Sequence, residues 1–136
     1  MRIFILNGVL VERPAEGTAV VVFTGEHDLS TAYRVRHLLA SVIRRDDLIV
    51  ADFSSATFID SSIRRVLLDA HAQAHELGKV LRLQLGTADI VRRAFEISGV
   101  LAVIELFLTR EDALVRDEVV ASFSNFLGGA TAASRA

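Results

Sequence analysis

Hydrophobic positions along the chain switch repeatedly between a period of two and a period near 3.6, and the switches predict its elements. Ile3–Leu6 and Val9–Val11 are short apolar runs joined by Asn7-Gly8, a pair that accepts positive φ at both turn positions and favours a tight hairpin. Pro14-Ala15-Glu16-Gly17 reads as a turn, because Pro presets φ and Gly absorbs the reversal. Thr18–Thr24 is rich in β-branched residues and predicts a strand closed by Gly25. Asp28-Leu29-Ser30-Thr31 then signals a helix start, since short oxygen side chains accept from the free amides of a first turn. Val35, Leu38, Leu39, Val42 and Ile43 follow at helical spacing, and the helix should end near Arg45, where cations suit the negative end of the dipole.

Leu48–Phe53 predicts a buried strand that leads through a polar loop, Ser54–Thr57, to Phe58-Ile59-Asp60-Ser61-Ser62. The helical period returns at Ile63, Val66, Leu67, Ala70, Ala74 and Leu77, and Gly78 supplies a left-handed stop. Val80–Leu85 alternates strictly, which predicts a strand with one face wet or at a sheet margin. Thr87 is placed to cap a short helix through Ile97, ended by Gly99, and Val100–Leu106 predicts a further strand. Thr109 with Asp112 resembles a capping box opening a last helix to about Leu127. Strands alternating with helices indicate a largely parallel sheet built from crossover units. The expectation is an α/β sandwich, about five strands in a mixed sheet opened by an N-terminal antiparallel hairpin, with about four helices. Residues 1–127 form one domain on this reading, and the small, polar residues 128–136 a flexible C-terminal tail.

Composition narrows the class. The 136 residues fit a single domain long enough to bury a core without disulfides or metal. The absence of Cys excludes a disulfide scaffold, a thiolate metal site and a Cys nucleophile. Fifteen Lys+Arg against seventeen Asp+Glu give a net charge of −2 with no run of either sign, so a sequence-independent grip on nucleic acid is not expected. With 51% hydrophobic residues the chain is too apolar for disorder. Its apolar stretches, such as Ala19–Phe23, fall far short of the ~20 residues a spanning helix needs, so no stable membrane insertion is expected. The opening residues lack the long apolar region of a signal peptide, and the expected location is the cytoplasm. The apolar Ile3–Leu6 segment offers a strand edge able to pair with a second copy, which would make a homodimer.

Neither G-x-x-x-x-G-K-[ST] nor G-x-G-x-x-G follows any strand, so nucleotide binding of those types is not expected and no cofactor is assigned. His71 and His75 stand four apart on one helix near Asp69 and Glu76, but H-A-Q-A-H lacks the general-base Glu of the zinc-protease pattern and an obvious third ligand; a polar helix face is the plainer reading. Ser61, His27 and Asp28 supply the residue types of a serine hydrolase triad, yet sequence neighbours rarely present their side chains in that relay, and G-x-S-x-G is absent. The pairs Arg34/Arg36, Arg64/Arg65 and Arg92/Arg93 read as solvated faces. What remains is the passage from strand to helix at Asp60-Ser61-Ser62. One of these residues should cap the helix, and a hydroxyl there is also a favourable place for a phosphate, because free amides and the positive dipole end stabilise the dianion.

Gly25-Glu26-His27-Asp28 resembles the G-E-[apolar]-D signature of STAS domains, and Asp52-Phe53-Ser54 through Phe58-Ile59-Asp60-Ser61-Ser62 resembles their D-[LF]-S…[FY]-[IM]-D-S-S segment. Gly78-Lys79 after the helix also fits, and the resemblance covers about residues 9–115. A short chain with this D-S-S is most similar to the anti-sigma-factor antagonist type. That resemblance implies a non-enzymatic partner switch. The unmodified antagonist binds an anti-sigma factor that is itself an ATP-dependent serine kinase, phosphorylation releases it, and a metal-dependent serine phosphatase resets it. It also implies that the phosphoacceptor is Ser61, and that the partner-facing residues are Asp28, Asp60, Ser61, Ser62, Ile63 and Arg64. Two departures stand out. Ile63-Arg64 replaces the family's usual Gly-Leu, adding bulk where Gly lets a backbone approach and charge able to pair with a phosphate or an acidic partner. His27 occupies a usually aliphatic position beside Asp28, where a proton or phosphate would be felt. The alternatives are a non-phosphorylated STAS adaptor in a stress-sensing or lipid-transport complex and, more remotely, a small serine hydrolase.

Overall fold

The structure, a computed structural model, describes residues 2–6, 8–87 and 89–116. Eleven elements follow in order: β1 (Arg2–Leu6), β2 (Val9–Ala15), β3 (Thr18–His27), α1 (Leu29–Arg45), β4 (Leu48–Ile59), α2 (Ser61–Glu76), β5 (Val80–Gln84), α3 (Asp89–Ser98), a 3₁₀ turn (Val100–Ala102), β6 (Leu106–Phe107) and α4 (Arg110–Leu114). The strands form one mixed sheet in sequence order, β1-β2-β3-β4-β5-β6. β1, β2 and β3 pair antiparallel, and β3 through β6 pair parallel. This is the expected α/β sandwich opened by an N-terminal hairpin, with a two-residue strand, β6, finishing the far edge.

Packing explains the layers. Val21, Phe23, Ile49, Ala51, Phe53, Leu81 and Leu83 share one sheet face and meet Leu39 and Ile43 of α1, Ile63 and Leu67 of α2, and Phe95 of α3 in the main core. Phe53 stacks on Phe23 at 4.2 Å between ring centroids and meets Phe95 edge-on at 5.1 Å. The opposite face carries Val20 and Val50, packed against Ala113 of α4. Its polar positions are bridged from the same helix, where Arg110 reaches Glu12 at 3.0 Å and Asp52 at 3.5 Å.

Several expectations change on the sheet. Ser54–Thr57 is not a loop: β4 continues to Ile59, and two register shifts against β3 absorb its polar residues. Pro14 lies inside β2 rather than in the turn, at a register shift between Glu12 and Ala15 where its missing N–H costs no ladder bond. The strand expected over Val100–Leu106 is a 3₁₀ turn entered through Gly99 at φ 82°, and only Leu106–Phe107 pairs with β5. Apolar content alone had suggested a strand there, but Val100 and Ile104 are buried as a plug beneath the helices. The last helix is capped by Thr109 as expected, its hydroxyl accepting from the Asp112 amide at 3.1 Å, but it ends at Leu114. The helix expected to Leu127 and the tail at 128–136 otherwise lie outside the described residues. The alternating face of β5 is not wet, since Arg82 and Gln84 are buried and Arg82 donates to the carbonyls of Ala113 and Val115 at 2.8 and 2.6 Å.

Candidate functional site

The two signature segments, far apart in sequence, finish side by side. His27, the last residue of β3, pairs in register with Ile59, the last residue of β4, and the Asp60 amide donates to the His27 carbonyl at 3.2 Å. Asp28 and Asp60 are therefore equivalent positions on adjacent parallel strands, each in an extended conformation that turns the chain into a helix. Each carboxylate caps its own helix. Asp28 Oδ1 accepts from the Ser30 amide at 2.9 Å, and Asp60 Oδ1 accepts from the Ser62 amide at 2.9 Å. In both, the hydroxyl of that serine donates back to the same oxygen, Ser30 at 2.6 Å and Ser62 in a closer contact. The Ser30 hydroxyl, followed by its amide, holds the Asp28 carboxyl below the usual carboxylate range against a smaller effect of burial.

This geometry separates two serines that are equivalent candidates for the helix cap on the residues alone, and of which the family resemblance points to Ser61. Ser62 is half-buried and tied to Asp60; Ser61 is exposed, and its hydroxyl forms no hydrogen bond among the described residues. It lies at the rim of a groove of about 420 Å³ lined by Ile59, Asp60, Arg64, Ala94, Ile97 and Ser98. One wall is the start of α2 and the other is the last turn of α3, which sequence reasoning did not connect with the site. Arg64 spans the two, its Nε donating to the Ser98 carbonyl at 2.6 Å. Of the expected partner-facing residues, Ile63 turns away: it is fully buried in the main core, one helical step from the exposed Arg64, and so anchors the helix from behind.

His27 is also turned inward and completely buried, edge-on to Phe23 at 5.3 Å. Its Nε2 lies 3.0 Å from the Thr24 carbonyl and its Nδ1 3.4 Å from the Thr31 hydroxyl. The imidazole, expected beside Asp28 to feel a proton or phosphate, is a core residue. It does not meet Ser61, no histidine lines the groove, and the residue types of a triad are not brought together. On α2, Asp69 is bound to Arg36 of α1 at 2.5 Å, and His71 is half-buried with its Nδ1 unpartnered among the described residues. Burial, and then the neighbouring His75, lower the His71 pKa. Among the described residues no group of three or more His, Cys, Asp or Glu could hold a metal ion.

A sheet read in sequence order, with two Asp-capped helices rising from the ends of its central parallel strands, defines the class. The STAS domain family model matches residues 11–113, and the chain belongs to the STAS domain family. Among solved structures it is similar to an anti-sigma factor antagonist from Mycobacterium paratuberculosis, at 24% identity and a TM-score of 0.70, over 78% of this chain and 89% of that one. It is also similar to the anti-sigma factor antagonist SpoIIAA in its unphosphorylated form, at 18% identity and a TM-score of 0.58, over 85% of this chain and 96% of that one. The Bacillus cell fate determinant SpoIIAA in its phosphorylated form matches at 21% identity and a TM-score of 0.62, over 78% and 96% of the two chains. Among curated proteins, none matches the chain. No helix among the described residues is long and apolar enough to cross a membrane.

Proposed function

We propose that the protein is an anti-sigma factor antagonist whose grip on an anti-sigma factor is controlled by phosphorylation of Ser61. The observation that carries this reading is the exposed Ser61 hydroxyl, without a hydrogen bond among the described residues, directly after the helix-capping carboxylate of Asp60, while the adjacent Ser62 hydroxyl is committed. It is supported by the likeness to solved antagonists, one of them described in both phosphorylated and unphosphorylated form. Apolar groups fit for a partner surface are exposed here: Ile97 of the same groove at 78%, and Leu29 and Phe58, which flank Asp28 and Ile59 in the chain, at 76% and 40%.

The switch is electrostatic. In the unmodified state Ser61 is small and neutral, and a partner can close over the exposed Leu29, Phe58 and Ile97. The partner kinase transfers the terminal phosphoryl group of ATP to the Ser61 oxygen, the hydroxyl proton leaves, and ADP departs. The product carries about −1.5 to −2 more charge beside Asp60. Unpaired like charges in a closed interface cost several kcal/mol, and each 1.4 kcal/mol is about tenfold in affinity. Binding should fall by roughly two decades or more. A serine phosphatase then restores the neutral hydroxyl, and the cytoplasm is where such a cycle operates. β1 forms one edge of the sheet, the position that pairing with a second copy requires.

The test is incubation with the cognate anti-sigma kinase and ATP, followed by mapping of the modified residue and partner titration of Ser61→Ala and Ser61→Asp. Modification confined to Ser61, with Ser61→Asp much the weaker binder, is expected. Modification that persists in Ser61→Ala would refute the assignment, and equal affinities of the two variants would make the protein a non-switching adaptor.

A further inference from the structure

We infer that Arg64 is an internal receptor for the phosphate on Ser61, so that modification closes the groove between α2 and α3 as well as adding charge; this rests on the reading of Ser61 as the phosphoacceptor. Ser61 and Arg64 are three residues apart on α2, which makes them neighbours on the helix surface, and both line the groove. Two of the usual phosphate donors at a helix start are already committed. The Ser62 amide is on Asp60 Oδ1 at 2.9 Å, and the Ile63 amide is on the Asp60 carbonyl at 3.2 Å. A phosphate on Ser61 gains little from these two amides, and a charged side chain within reach is the stronger partner.

Arg64 is built for that role. Of the five N–H donors of a guanidinium, Arg64 uses the one on Nε, which anchors it on the Ser98 carbonyl at 2.6 Å. The four on its two Nη atoms have no acceptor among the described residues. Asp60 and Arg64 are the charged residues lining the groove, while α3 presents only Ala94, Ile97 and Ser98 to it. Asp60 repels a phosphate, so the attraction falls to Arg64. Its Nη edge matches two phosphate oxygens in the planar, bidentate manner that a Lys cannot reproduce. With Nε still on Ser98, the chain phosphate–Arg64–Ser98 bridges the two walls of the groove. Held this way, the phosphate lies over the cleft beside Ile97 instead of extending into solvent, and the groove loses the open shape a partner side chain would enter.

The test places phosphoserine at 61 during translation, with a phosphoserine-charged suppressor tRNA and the full chain, and follows the phosphate by 31P NMR. A cation held against the phosphate favours the dianion, so its second ionisation should occur at lower pH than in an unstructured phosphoserine peptide. Arg64→Gln should abolish that shift, Arg64→Lys should retain part of it, and Arg65→Gln, which alters the exposed neighbour, should leave it unchanged. In the unsubstituted chain the Arg64 guanidinium protons should exchange more slowly once Ser61 is phosphorylated, a readout that survives any variant that folds poorly. Identical titrations of the unsubstituted and Arg64→Gln phosphoproteins, or guanidinium exchange unaffected by the phosphate, would overturn the inference. Because no kinase is used, that failure leaves Ser61 phosphorylation standing, and failure of a kinase to modify Ser61 leaves the Arg64 pairing standing.

Discussion

At Asp60-Ser61-Ser62 the consequences of single atoms are easiest to follow. All three side chains carry oxygens able to cap a helix, and a sequence shows only that one of them will. The extended conformation of Asp60 gives the cap to the carboxylate, and its Oδ1 then captures both the amide and the hydroxyl of Ser62. Ser61 is left over by elimination, because the first helical residue points away from the cap it follows. The same logic runs at Asp28-Leu29-Ser30, where the left-over position is an exposed leucine and therefore carries no hydroxyl. Also at this scale, His71 has a depressed pKa through burial first and His75 second, so the folded state holds its proton less firmly than the unfolded chain. The resulting stability is fully present above the ordinary imidazole value, about 6.5, and is lost as pH falls through it toward the lower folded value. Urea midpoints measured across that range should decline less steeply toward acid in His71→Gln than in the unsubstituted protein. Parallel declines would show that His71 does not carry the effect.

Elements depart from their sequence reading wherever a neighbour supplies what local pattern lacks. Ser54–Thr57 looks like a loop because strands seldom carry four such residues, yet β3 beside it keeps β4 extended to Ile59. Arg82 and Gln84 look like a solvent-facing stripe on β5, yet α4 lies over them. A buried Arg costs desolvation energy unless its donors are satisfied, and here the end of α4 supplies the acceptors. Charged hydrogen bonds of this kind are each worth about 1.5–3 kcal/mol. Arg82→Leu should therefore loosen α4 selectively, with amide exchange at Ala113 accelerating roughly tenfold or more while α1 and α2 keep their protection. Uniform acceleration throughout the chain would mean that Arg82 supports the whole fold and not the docking of one helix.

On the scale of the molecule, function and fold use separate parts of the same helix. α2 sends Ile63, Val66, Leu67, Ala70 and Ala74 into the core and holds Ser61 at its exposed start. A change at Ser61 should then leave stability nearly untouched. Ser61→Ala and Ser61→Asp are both expected within about 0.5 kcal/mol of the parent in urea unfolding, the aspartate helped slightly by the helix dipole. A loss of several kcal/mol in Ser61→Asp would show that the residue supports the fold, and would attribute any lost partner binding to unfolding rather than charge.

The sequence by itself determined the alternation of strands and helices, the helix starts at Asp28-Leu29-Ser30-Thr31 and Asp60-Ser61-Ser62, the cap at Thr109, the stops at Gly78 and Gly99, and the two signatures that resemble the STAS family. These are local facts, set by side-chain periodicity, by short oxygens near free amides and by positive φ. Only the tertiary structure decided that His27 and Ile63 face inward, that Ser61 and not Ser62 keeps a free hydroxyl, and that Arg64 reaches across to Ser98. Each of those depends on which strand ends fall in register and which helix lies alongside, and the parallel pairing of His27 with Ile59 joins residues that no local pattern connects.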